Sequence, residues 1–178
     1  MQTKYHIGDA TRPIMDNGGN HLILHVCNDS GGWSSGFVMA LSKRWKEPES
    51  RYKTWHLNNE ELFGVQNNPF KLGRVQYFKV DHRLWVGNMI AQSDPGGFED
   101  FPPIRYQSLE ECFMRIRANA VEGLANDAII TFHGPRFGSA LAGGKWSKVI
   151  GIMERVFEHV DIEFHVYDLE EIEGTIYE

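Results

Sequence analysis

Residues 24–41 read LHVCNDSGGWSSGFVMAL, and the rest of the chain is best interpreted outward from them. The run opens as an apolar strand, passes through small polar residues and re-emerges at helical spacing. Gly31, Gly32, Ser34, Ser35 and Gly36 leave the backbone uncovered just before that helix. Free N–H groups at a helix N-terminus, with the helix dipole behind them, favour a phosphate or another anion. Residues 129–146, IITFHGPRFGSALAGGKW, repeat the pattern of strand, glycine-rich loop and helix. Either loop alone can also be read as a plain connection between a strand and a helix. The pair points to a ligand carrying two phosphates, or a phosphate and a sugar.

The flanking chain supplies a scaffold for such loops. Residues 4–7 suit a first strand, and residues 21–27 form a nearly continuous apolar run of the kind that is covered on both faces. Val38, Leu41 and Trp45 recur at helical spacing, and Pro48 opens a second helix that carries Tyr52 and Trp55 inward. Residues 56–71 are polar and rich in Asn, which reads as a surface loop. Residues 75–80 and 84–91 make two strands joined by a tight turn at Asp81 and His82. Residues 93–103, SDPGGFEDFPP, read as a flexible loop whose aromatics suit either closure over a ligand or packing on the domain surface. Leu109, Cys112, Phe113, Ile116 and Ala120 form a helical stripe; Ser108 and Glu111 have capping-box spacing, while Pro103 suggests an earlier start. Residues 128–132 read as a buried strand, Trp146, Val149, Ile150, Met153 and Phe157 as an amphipathic helix, and residues 162–167 as a last strand before an acidic, frayed tail. Strands alternating with helices imply crossovers, hence a mixed sheet covered on both sides. Ligands of such sheets sit at the carboxyl ends of the strands, where both glycine-rich loops can meet.

The totals limit the partners. One domain spanning 1–178 fits the length, and no internal repeat breaks it. A formal net charge of −6 lacks the basic footprint of a general nucleic-acid binder. It leaves room for a phosphate-bearing small molecule held by backbone amides. Cys27 and Cys112 stand far apart in apolar settings and read as buried free thiols, which fits a reducing compartment. No apolar run approaches a membrane span and the start lacks the apolar core of a signal peptide, so a cytoplasmic location is expected. The eight histidines are scattered without zinc-site spacing, so no metal and no cofactor are expected. Neither GxxxxGK[ST] nor GxSxG is present, and no covalent nucleophile is visible.

The residues themselves resemble a known family. Ile7-Gly8-Asp9-Ala10, His25-Val-Cys-Asn28, Gly32-Trp33-Ser34-Ser35-Gly36, Asn88-Met-Ile-Ala-Gln92, Pro102-Pro-Ile-Arg-Tyr106, and Pro135-Arg-Phe-Gly138 with Leu141-Ala-Gly-Gly-Lys-Trp146 occur in the order found in macro domains. The likeness is to the compact branch that holds yeast ADP-ribose-1″-phosphate phosphatase and the terminal ADP-ribose protein glycohydrolase. It implies a three-layer α/β/α fold with a mixed six-stranded sheet, and a monomer whose partner is ADP-ribose or a derivative.

The resemblance also assigns residues. Asp9, with Ala10 beside it, matches the aspartate that accepts a hydrogen bond from the adenine amino group; the lesser reading of Asp9 is a turn or cap after the first strand. Ser34, Ser35, Gly36 and Phe37, preceded by Trp33, match the first phosphate loop. Gly138, Ser139, Ala140 and Leu141, preceded by Pro135, Arg136 and Phe137, match the second. Asn28 matches the position facing the distal ribose, though it could instead only tie down the turn at Asp29 and Ser30. His25 matches a histidine considered for phosphatase chemistry; a strand histidine in an apolar run also reads as a satisfied core residue. Two departures matter. Gln92 and Ala142 stand where the glycohydrolase of this branch uses a lysine and an aspartate, which removes its covalent route. The larger family members' Asn-Ala-Ala-Asn pattern is also missing. What the resemblance implies is therefore a metal-independent phosphatase acting on ADP-ribose 1″-phosphate. An ADP-ribosyl hydrolase acting on modified macromolecules and a binder without turnover are the alternatives.

Overall fold

The protein is described by a computed structural model over residues 1–60, 67–93, 102–125, 130–139 and 142–169. Six strands form one sheet: β1 (Gln2–Ile7), β2 (Asn20–Asn28), β3 (Val75–Asp81), β4 (Leu84–Gln92), β5 (Ile130–Gly134) and β6 (Glu163–Asp168). Their order across the sheet is β1-β6-β5-β2-β4-β3. Every neighbouring pair is parallel except β3 with β4. The antiparallel pair follows from its short connection, since a turn at His82 and Arg83 can only reverse the chain. Parallel neighbours need crossovers, and four helices supply them: α1 (Phe37–Arg44), α2 (Glu47–Asn58), α3 (Tyr106–Ala125) and α4 (Trp146–Val156).

Strand alternation then sorts the apolar residues into two layers. Leu22 and Leu24 of β2, Met89 of β4, Phe132 of β5 and Phe164 of β6 pack against Leu109, Phe113 and Ile116 of α3 and Val149 and Met153 of α4. Ile23 and Cys27 of β2 and Val86 of β4 face the other way, onto Val38 and Leu41 of α1 and Tyr52 of α2. The result is the expected three-layer α/β/α fold with a mixed six-stranded sheet. Both cysteines are free and buried. Among the described residues, no helix is long and apolar enough to cross a membrane.

Several sequence expectations need correction. Helix α1 begins at Phe37 and ends at Arg44, so Trp45 caps it rather than belonging to it, and Gly36 starts it at φ 74°, outside the helical region. The polar stretch from residue 56 is not all loop: α2 continues to Asn58, and Asn68 is buried, accepting from the Trp55 indole and donating to the Val75 carbonyl. Ser108 and Glu111 form no capping box; α3 starts at Tyr106, so both lie inside it. Residues 94–101 of the expected flexible loop, residues 128 and 129 of the expected fifth strand and tail residues 170–178 lie outside the described residues.

Candidate functional site

All parallel strands point their carboxyl ends the same way, so the segments after β2, β4 and β5 converge on one edge of the sheet. Between them lies a crevice of about 390 Å³. Its walls include Asn28, Ser34, Ser35, Gly36 and Phe37 from the first loop. Pro135, Arg136, Phe137, Gly138 and Ser139 face them from the second, and His25, Cys27, Gln92 and Ala142 complete the enclosure. The fold thus brings together most of the sequence-derived candidates. Ala140 and Leu141 lie outside the described residues.

Three candidates sit elsewhere. Trp33 is buried; its indole N–H donates to the Ser42 hydroxyl at 2.8 Å, and Ser42 in turn donates to Glu49, so this ring anchors the first loop from below. Asp9 and Ala10 follow β1, three strand spacings from β2, or roughly 14 Å across the sheet. Asp9 does make the turn contact that its position allows: Oδ1 accepts the Thr11 N–H at 2.9 Å.

Asn28 is the best-tied polar residue of the crevice. The β2–β4 ladder shifts register between Cys27 and Asn28, so that Asn28 aligns with Gln92 and Ala91 is skipped. Such bulges re-aim side chains at the ends of sheets. The Asn28 Oδ1 accepts the N–H groups of Ser30 at 3.1 Å and Gly32 at 2.9 Å and the Ser30 hydroxyl at 2.8 Å. Its Nδ2 donates to the Gly32 carbonyl at 2.8 Å. The loop is wound around this one amide.

His25 lies beneath the loop, 1% exposed, edge-on to Trp33 and beside Phe37. Its Nε2 meets the Asn88 Oδ1 at 2.6 Å, and Asn88 donates onward to the Gln76 Oε1 at 3.1 Å. An amide oxygen only accepts, so Nε2 carries the proton and Nδ1 is the unprotonated nitrogen. Burial pushes the imidazole down to about 4. At neutral pH His25 is therefore an uncharged ring whose one N–H is spent on a buried amide chain. Desolvation also raises the neighbouring Cys27 thiol well above its ordinary range, so it stays protonated. Among the described residues, the walls carry no carboxylate.

Among the described residues, Arg136 is the one cationic side chain in those walls. Its guanidinium grips Asp168, at the end of β6, through Nε and Nη2, both at 2.9 Å, and lies 5.2 Å over the Tyr5 ring. The pair is largely buried, which fixes the guanidinium plane. The second loop beyond it is shaped by main chain: Gly138 adopts φ 77°, its carbonyl accepts the Gly144 N–H at 3.0 Å, and Ser139 accepts from Ala142. Helix α4 begins only at Trp146, so its N-terminus does not directly abut Gly138 as that of α1 abuts Gly36. Ile104 pairs with Gln92 and donates to the Ala142 carbonyl, which ties the chain after β4 to both loops.

Sequence reasoning missed two participants. Tyr52 is read from its spacing as a core residue, yet its hydroxyl reaches Asn28. Asp168, just before the tail read as frayed, is given no role by the sequence, yet it orients Arg136. Each contact joins residues 24 and 32 positions apart, a separation for which local sequence offers no signal.

No family model matches the chain. It is similar to the curated ADP-ribose 1″-phosphate phosphatase of Lodderomyces elongisporus, 19% identical over 168 residues that span 94% of this chain and 100% of that protein. A solved protein of unknown function from Bacteroides thetaiotaomicron is 40% identical, with a TM-score of 0.81 over 95% of this chain and 99% of that one. A macrodomain protein from Streptomyces coelicolor is 36% identical, with a TM-score of 0.73 over 94% and 99% of the two chains. The chain belongs to the macrodomain family.

Proposed function

We propose that this macrodomain binds ADP-ribose or a derivative in the crevice between its two glycine-rich loops and acts as a phosphatase on ADP-ribose 1″-phosphate. The observation that carries the reading is the convergence of both loops, one wound on Asn28 and one on glycine turns, over the carboxyl ends of β2 and β5. Adenine lies toward Asp9 and Ala10 at the β1 edge, with the Asp9 carboxylate accepting its amino group. The diphosphate sits between Ser34, Ser35 and Gly36 on one side and Gly138 and Ser139 on the other. The distal ribose reaches Asn28 and Gln92.

The chemistry of the walls limits the mechanism. A neutral His25 and a protonated Cys27 supply neither acid nor attacking thiolate. Hydrolysis of a phosphate monoester needs little covalent help, and its barrier falls when fixed donors face the developing charge. Here those donors are the loop N–H groups and the Asn28 amide, while His25 supports the strand end that carries Asn28. Gln92 and Ala142, an amide and a methyl at two wall positions, cannot form an imine or exchange a proton, which disfavours the alternative of an ADP-ribosyl hydrolase using those positions. A binder without turnover is the second reading, favoured by the absence of a carboxylate from the described walls.

Phosphorus NMR separates these. ADP-ribose 1″-phosphate mixed with a near-stoichiometric amount of protein should release inorganic phosphate over time. Perturbed diphosphate signals without release establish the binder instead. Unchanged spectra reject the crevice as an ADP-ribose site.

A further inference from the structure

The Asn28 carbonyl group and side chain share a partner from outside the sheet. Where the ladder shifts register after Cys27, the Tyr52 hydroxyl approaches the Asn28 main-chain oxygen at 2.5 Å and its Oδ1 at 3.1 Å. Tyr52 belongs to α2 and is fully buried, its ring tilted against Trp33 at 5.2 Å and Phe70 at 5.5 Å. A phenol held in that packing has one proton, and both acceptors within its reach belong to Asn28. Among the described residues, the hydroxyl hydrogen-bonds from a helix onto the side chain around which the first loop winds.

The consequence concerns what Asn28 shows the ligand. Two N–H groups and the Ser30 hydroxyl donate to Oδ1, and the Tyr52 proton is shared between it and the closer main-chain oxygen, so the amide oxygen is used up inside the protein. Reversing the amide would set Nδ2 against those N–H donors and leave them without an acceptor. The orientation is therefore locked. Nδ2 gives one hydrogen to the Gly32 carbonyl, which leaves its second N–H as the group available to the crevice.

We propose that Tyr52 is the positioning residue of the distal subsite, locking Asn28 so that it presents a single N–H donor to an acceptor oxygen of the distal ribose or its phosphate. The inference rests on the ADP-ribose reading above and adds a residue and a polarity to it. Its distinguishing feature is selectivity: ADP, which has the adenosine and both phosphates but no distal ribose, does not use this donor.

Tyr52→Phe removes the hydroxyl and keeps the ring. Calorimetric titration of the variant should show ADP-ribose binding weakened about five- to tenfold, the worth of one hydrogen bond, with ADP binding unchanged. Equal weakening of both ligands would mean that Tyr52 merely supports the fold, and no change in either would overturn the proposal outright. A second measurement reads the amide itself. The Asn28 side-chain NH₂ signals, assigned by their loss in Asn28→Asp, should shift in the free Tyr52→Phe protein and should shift in the wild type on addition of ADP-ribose but not ADP. Should Tyr52→Phe fail to fold, the wild-type response decides alone, and an Asn28 amide indifferent to ADP-ribose sinks the proposal. A wild type that binds no ADP-ribose rejects the functional reading instead, and the unliganded spectra then judge Tyr52 by themselves.

Discussion

The two glycine-rich loops look alike in sequence and are built in different ways. The first, after β2, is a side-chain construction: the Asn28 amide collects the N–H groups of Ser30 and Gly32, Tyr52 holds Asn28, and the Trp33 indole is pinned to Ser42. The second, after β5, is a main-chain construction. Its bonds run from Gly144 to Gly138, from Ala142 to Ser139 and from Ile104 to Ala142, and its shape depends on backbones approaching more closely than side chains permit. A loop held by side chains is vulnerable to loss of polar atoms. A loop held by main chain is vulnerable to added carbon.

The largest expected effect probes the second loop. A Cβ on Gly144 would overlap the Gly138 carbonyl oxygen, which is backbone and cannot step aside. Gly144→Ala should cost roughly 3 kcal/mol in urea unfolding, at the upper end for single substitutions. Gly151→Ala is the control, since nothing lies within 4 Å of its Cβ in α4; there the change should stabilise by up to about 1 kcal/mol. If Gly144→Ala unfolds at the wild-type midpoint, the main-chain account of this loop is wrong.

Acid tests the ground beneath the first loop. His25 carries a folded pKa of about 4 against an ordinary 6.5, so the unfolded chain takes up its proton first. Stability is then full above pH 6.5, falls as the pH drops toward 4, and loses about 3 kcal/mol from this residue across that window. His133 and His21 are also held below the ordinary value, chiefly by burial, and add to the loss in the same direction. Urea midpoints at pH 7.5, 6 and 5 should decline in order, and His25→Gln should flatten the decline. A profile level down to pH 5 would mean that His25 is not buried as described.

Asn28→Ala comes next. It strips the first loop of its centre and should cost about 2 kcal/mol, with ADP-ribose affinity falling at least tenfold in a calorimetric titration. Retention of wild-type affinity would detach Asn28 from the ligand. The smallest effect belongs to Ser139→Ala in the second loop, where one hydroxyl donates to the Arg136 carbonyl. Its loss should cost no more than about 1 kcal/mol in thermal unfolding. An Ser139→Ala cost equal to that of Asn28→Ala would erase the distinction between the loops.

Much of this architecture was legible in the residues. Pro48 at a helix start and the inward spacing of Tyr52 and Trp55 foretold α2, and the apolar run ending at Asn28 foretold the strand that leads into the crevice. The surface assigned to residues 56–71 holds at residues 56–60 and breaks at Asn68, because composition cannot show that Asn68 would serve as a buried bridge between Trp55 and Val75. The site was readable in outline for the same reason that the loops were: glycine and serine before a helix have a local physical meaning.

What the sequence by itself determined, then, are the properties set by neighbours along the chain: the strands, the helices, the two uncovered loops and the shortage of titratable groups near them. Tertiary structure alone decided the properties set by neighbours in space. It made His25 an uncharged ring by burying it against Asn88, bound Arg136 to Asp168, and brought the Tyr52 hydroxyl to the break in the β2–β4 ladder. Protonation, the plane of a guanidinium and the direction of an amide depend on solvent exclusion and on partners far away in sequence. Neither exists until the chain has folded.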